Sequence, residues 1–196
     1  MKMNKLALSV LTSGMLVGMM GAGMTVSAHT VARHVSAASI KYPVVVTTTI
    51  YTGKQDGKKG WPEFVPGNFE LPANSRVELI IHSYDDGPAT IPASDLKVQG
   101  TVGGYELVDG KKVTHYSNAK NDVAHTLTVP SLGLNIPIPP KTSKEQYVTV
   151  IAEFNTGKAS NNTWQCEAAC GSGASGWMGA MMTNGWMKGA FNVYAH

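Results

Sequence analysis

The only two cysteines of this 196-residue chain, Cys166 and Cys170, stand in "WQCEAACGSGASGWMGAMMTNGWMKG", spaced C-x3-C. Met178, Met181, Met182 and Met187 follow them, and Trp164, Trp177 and Trp186 flank them. Thiolates and thioethers are soft donors, so this pairing points to a soft metal, copper above all. An imidazole normally completes such a set, and this stretch holds no histidine. The same two cysteines also fit a plain disulfide. An even cysteine count in a secreted chain usually means a bridge, and a C-x3-C loop closes if its turn brings the Cα atoms within about 7 Å.

The elements around these residues read as strands. "YPVVVTTTIY" (42–51) is dense in β-branched and aromatic residues. A strand is expected over Arg76–Tyr84, another over 122–130, and a third over 145–157 with both faces substantially covered. "NTWQC" enters the cysteine loop as a short strand, and "GWMKGAFNVYAH" leaves it as the last one. The glycine- and proline-rich run 52–75 reads as loop. Asp85 to Lys120 reads as short inserted hairpins, with Asp85 and Asp86 as turn residues. "SLGLNIPIPPKTS" reads as a proline-punctuated crossover. No stretch has sustained helical periodicity, so an all-β, antiparallel sandwich is expected.

Two of these segments together resemble the soluble copper domain of cytochrome c oxidase subunit II, a cupredoxin. "DVAHTLTVPSLGL" is similar to that family's first copper motif, and "CEAAC" forty residues on is similar to its second. The likeness covers roughly 122–172, and two coupled motifs are more specific than either alone. It implies a cupredoxin-like Greek-key β-sandwich with His125 as imidazole ligand and Cys166 and Cys170 as thiolate ligands of copper. It also implies electron transfer, with a cytochrome or terminal oxidase as redox partner. The chain departs from the pattern at three points. Ala168 replaces the glutamate midway between the cysteines, Ala174 replaces the second histidine, and Trp177 replaces the methionine, with Met178 one place further on. A conventional dinuclear site is therefore not expected.

Several smaller sites fit the same residues. A mononuclear blue-copper centre needs two histidines, a cysteine and an axial methionine. His125, Cys166 and one of Met178, Met181 or Met182 supply three of these, with His82 or His196 as the remaining imidazole. A Cu(I) site would use both thiolates, His125 and a thioether from Met181 or Met178. A mature N-terminus at His29 would also offer an amine and an imidazole to Cu(II), if His34, His82, His115 or His196 converged on it. On the metal-free reading, Cys166 and Cys170 form a disulfide in a structural or interaction domain. No G-x-S-x-G, H-E-x-x-H or phosphate-loop motif supports hydrolytic chemistry, so an electron carrier or binding protein is expected rather than an enzyme.

Bulk properties set the compartment. Lys2 and Lys5 precede an apolar run and "VSA" at 26–28, the order of a secretory signal peptide. Residues 1–28 are expected to be that peptide, or an uncleaved anchor, which alone would bring membrane contact. Residues 29–40 form a flexible lead-in and 41–196 the domain, placed in the periplasm or outside the cell. Net charge is +3, falling by two without Lys2 and Lys5, and no basic patch interleaves with aromatics. Nucleic-acid binding is not expected.

Overall fold

A computed structural model of the chain describes residues 42–55, 57–120 and 122–195. The expected signal segment (1–28), lead-in (29–40), His29, His34 and His196 lie outside them. Among the described residues, no helix is long and apolar enough to cross a membrane. The described residues form an all-β fold, with eleven strands in two mixed sheets.

The strands are β1 Val44–Tyr51, β2 Glu63–Val65, β3 Phe69–Pro72, β4 Arg76–Ser83, β5 Glu106–Val108, β6 Lys111–Val113, β7 His125–Val129, β8 Leu134–Ile138, β9 Val148–Asn155, β10 Ser160–Gln165 and β11 Lys188–Tyr194. One sheet runs β2-β1-β4-β9-β5-β6 and the other β3-β11-β10-β7-β8. In β4 and β9 every second residue is buried, so Val77, Leu79 and Ile81 face the same core as Val150, Ala152 and Phe154. From the other sheet, Leu127, Ile136, Trp164 and Phe191 join that core. Each Val, Leu, Ile or Phe side chain among them contributes roughly 1.5–3 kcal/mol on burial. This is a β-sandwich-like arrangement with its core shared by both sheets.

The structure corrects four expectations. The sheets are not purely antiparallel, because β1 pairs in parallel with β4 and β3 in parallel with β11. The run 52–75 is not all loop, since it carries the short edge strands β2 and β3, which three or four residues sufficed to make. "LNIPI" is not a crossover but strand β8, antiparallel to β7, with Pro137 opposite Thr126. β8 is an edge strand, where a proline without an N–H is tolerated. The segment 85–120 holds one hairpin, β5–β6; Thr101 and Val102 pair with β9, and other parts lie against β7 and β8. Asn135 Nδ2 donates to the Asp95 and Lys97 carbonyls, Gln99 pairs with Asn135, and the Ala89 N–H donates to Val123 O. That cover explains why every residue of β7 and β8 is buried although neither strand is uniformly apolar.

Candidate metal centre

Three connections meet at one end of the fold. The first leaves β4 at Asp85. The second enters β7 at His125. The third is the long loop between β10 and β11, which opens with Cys166. Each is fixed by backbone bonds. The Lys141 N–H donates to Asp85 O, the Ala124 N–H to Ile138 O, and the Cys166 N–H to Met187 O, at 2.8–2.9 Å. β7 and the loop are joined directly, since the Thr126 N–H donates to Cys166 Sγ at 3.3 Å and the Glu167 N–H to Thr126 Oγ1 at 2.7 Å.

The loop folds back on itself. The Ser172 and Met178 backbones exchange two bonds of 3.0 Å, and a 3-10 turn over Gly179–Met182 carries Met181 into the interior. Gly171 makes this return possible. A Cβ there would lie 2.2 Å from Met178 O and 2.7 Å from Met181 Cγ.

The result is a compact set of donors. A ring nitrogen of His125 and the sulfurs of Cys166 and Cys170 lie within 4.8 Å of one another. Cys170 Sγ is 3.3 Å from Cys166 Sγ and 3.3 Å from Met181 Sδ. The cysteines are unbonded, since a disulfide would hold the sulfurs near 2.0 Å. His125, Cys166 and Met181 are fully buried and Cys170 partly so. Ala168 O accepts the Cys170 N–H at 2.8 Å and stands 3.5 Å from Cys166 Sγ. A backbone carbonyl therefore borders the cysteine pair whatever side chain residue 168 carries.

Of the residues expected at a metal site, His125, Cys166, Cys170 and Met181 come together. Met178 does not join them. Its side chain is 58% exposed, as Met182 is 64% exposed, because the 3-10 turn directs only Met181 inward. His82 is held elsewhere, its Nδ1 3.2 Å from Thr149 Oγ1 and its ring against Tyr147. His115 is exposed, and so is Ala174, where the resembled family has its second histidine.

Asp85 belongs to this centre, which sequence reading missed. Its Oδ2 is 3.0 Å from His125 Nε2, and its Oδ1 accepts the Gly87 N–H at 2.8 Å. The "DDGP" turn was visible in sequence, and the second bond is that turn. The first spans forty residues and depends on the β4 end meeting the start of β7.

Electrostatics follow from these contacts. Burial alone would depress the His125 pKa, but the Asp85 carboxylate and the Cys166 sulfur outweigh it and bring it to about 9. Burial alone would raise the Cys166 thiol, but hydrogen bonding from Cys170 and the His125 imidazolium hold it well below the ordinary thiol range. Burial, then the neighbouring Cys166 charge, push the Cys170 thiol up. His125 Nδ1 is buried without a hydrogen-bond partner, which is costly unless something occupies it.

The chain matches none of the protein-family models, and no curated protein sequence matches it.

Proposed function

We propose that the chain is an extracytoplasmic, cupredoxin-like protein that binds copper through His125, Cys166, Cys170 and Met181 and serves electron transfer beside a respiratory oxidase. The observation that carries this reading is the cluster itself: one imidazole nitrogen and two thiol sulfurs within 4.8 Å, with a thioether in contact with one of them. The donors fit copper. Nitrogen with soft sulfur is its preferred set, and the thioether favours Cu(I). The unpartnered Nδ1 is accounted for if it is a ligand. Copper would supply one-electron exchange between Cu(I) and Cu(II). The protein's part is to hold both thiols close together, to present one imidazole, and to keep bulk water out with the methionine loop.

Cys166, His125 and Asp85 also have the order of a nucleophile, base and orienting acid. Cys166 is completely buried, so a substrate carbonyl has no approach to it. This favours metal binding over acyl transfer.

The second reading is a metal-free structural or interaction domain. The 3.3 Å contact between the sulfurs supports it, because an external oxidant taking two electrons and two protons would leave a Cys166–Cys170 bridge.

Titration of the reduced full-length protein with Cu(I) and with Cu(II), beside a thiol count and metal analysis, separates the two. The copper reading expects one copper per chain, a sulfur-to-copper charge-transfer band in the Cu(II) form, and no mixed-valence dinuclear EPR pattern, since one histidine is lacking. Failure of the reduced protein to bind copper in either state overturns it and leaves the disulfide domain.

A further inference from the structure

We infer that Asp85 is a positioning residue for this centre: it holds the proton of His125 on Nε2, leaves the Nδ1 lone pair for a metal, and through its charge favours Cu(II) over Cu(I). The inference rests on the copper reading above and adds the residue that tunes it.

A neutral imidazole carries one N–H and one lone pair, and the hydrogen bond of one nitrogen decides which is which. His125 Nε2 is 3.0 Å from Asp85 Oδ2. A carboxylate only accepts, so this contact requires the proton on Nε2. Nδ1 is left buried and unpartnered, and a bare nitrogen there is what a metal needs. The carboxylate is itself fixed, because its other oxygen accepts the Gly87 N–H at 2.8 Å and its backbone carbonyl accepts the Lys141 N–H at 2.8 Å. Its aim is therefore set by the β4 exit rather than by the metal.

Two consequences follow from charge. A carboxylate on the far nitrogen makes a ligating imidazole a stronger donor, and such outer partners are typically worth 10–100-fold in metal affinity. The carboxylate's negative charge at a buried centre also stabilises the more positive ion, so it lowers the reduction potential.

Asp85→Asn is an informative substitution. Asparagine has one acceptor where aspartate has two. If its oxygen keeps the Gly87 N–H, its NH2 faces Nε2, which must then accept; the proton moves to Nδ1 and blocks ligation. If its oxygen turns to Nε2, the Gly87 bond is lost and the charge is gone in either case. Asp85→Glu keeps the charge and serves as the rescue.

The experiment uses the full chain, reduced, as wild type, D85N and D85E. Competition titrations give Cu(I) and Cu(II) affinities, voltammetry gives the potential, and nitrogen NMR of the imidazole in the metal-free and Cu(I)-loaded protein locates the proton. In the Cu(I)-loaded wild type, Nε2 is expected to carry the proton and Nδ1 to be bare. D85N is expected to lose 10–100-fold in Cu(II) affinity, less in Cu(I) affinity, and to show a higher potential, with D85E partly restoring both. A purely structural aspartate would weaken both ions alike and leave the potential in place. The inference is overturned if D85N keeps the wild-type potential and affinity ratio, or if the loaded wild type carries its proton on Nδ1, a result that needs no variant to fold. Wild type that binds no copper removes the copper reading and this inference together; wild type that binds copper, with D85N unchanged, removes only the inference.

Discussion

At the scale of single residues, Met181 and Met178 are the sharpest contrast. Both belong to one five-residue stretch of the same loop, yet one touches Cys170 with its sulfur and the other lies 58% exposed. Met181→Leu keeps volume and apolar character, so its effect on stability should stay below about 1.5 kcal/mol. It removes the soft sulfur, and Cu(I) affinity should fall about tenfold, close to 1.4 kcal/mol. Met178→Leu should leave affinity unchanged. A Cu(I) chelator competition on both variants checks the pair, and equal losses would mean that Met181 is not the thioether ligand. Which methionine turns inward was not legible in sequence. The spacing admits either, and the choice is made by the backbone exchange between Ser172 and Met178 and the 3-10 turn after it. His125, Cys166 and Cys170 were legible because their motifs are local. Asp85 was not, because its partner is forty residues away.

At the scale of elements, the strands with regular alternation or dense β-branching were readable, and those without it were not. β1, β4, β7, β9, β10 and β11 coincide with such stretches to within a few residues. β2, β3 and β8 did not announce themselves, since they are edge strands three to five residues long and rich in glycine or proline neighbours. Their place is fixed by packing across the sheets. Trp164 shows how. It is buried in β10 between Phe64 and Phe69, and its Nε1–H donates to Gly67 O at 2.7 Å. That bond ties the β2–β3 connection to the second sheet. Gly189 in β11 permits the approach, for a Cβ there would lie 2.1 Å from Gly67 O and 2.8 Å from Trp164 Nε1. Gly189→Ala should therefore push the two apart and break the tie, destabilising the fold by about 1–3 kcal/mol. Urea unfolding followed by tryptophan fluorescence measures this. A midpoint equal to wild type would show that the β2–β3 connection is free to move.

At the scale of the whole molecule, stability should depend on pH through a group that is not among the metal-site residues. Glu106 opens β5 and is completely buried. Its Oε1 accepts the Tyr116 hydroxyl, and its Oε2 has no hydrogen-bond partner. Burial raises its pKa from 4.5 to about 8, against the smaller opposing effect of the Tyr116 bond. Between those two values the folded protein keeps a proton that the unfolded chain has released. The folded state binds more protons there, so stability falls as pH rises. The contribution is complete below pH 4.5, declines across the window, and is gone above about 8. With about 1.4 kcal/mol per pKa unit, the loss attributable to Glu106 across that window is on the order of 5 kcal/mol. His125 is raised as well, to about 9, and its contribution also fades with rising pH, so the wild-type curve alone does not assign the effect. Glu106→Gln does. Glutamine keeps the oxygen that Tyr116 donates to and has nothing to titrate, so the variant should match wild type near pH 4.5 and exceed its stability by the Glu106 contribution near pH 8.5. The comparison is made on urea midpoints of reduced, metal-free protein at both pH values. A variant that gains nothing at the higher pH would mean that the carboxylate ionises inside the folded protein without penalty, which would require water or a cation at Oε2.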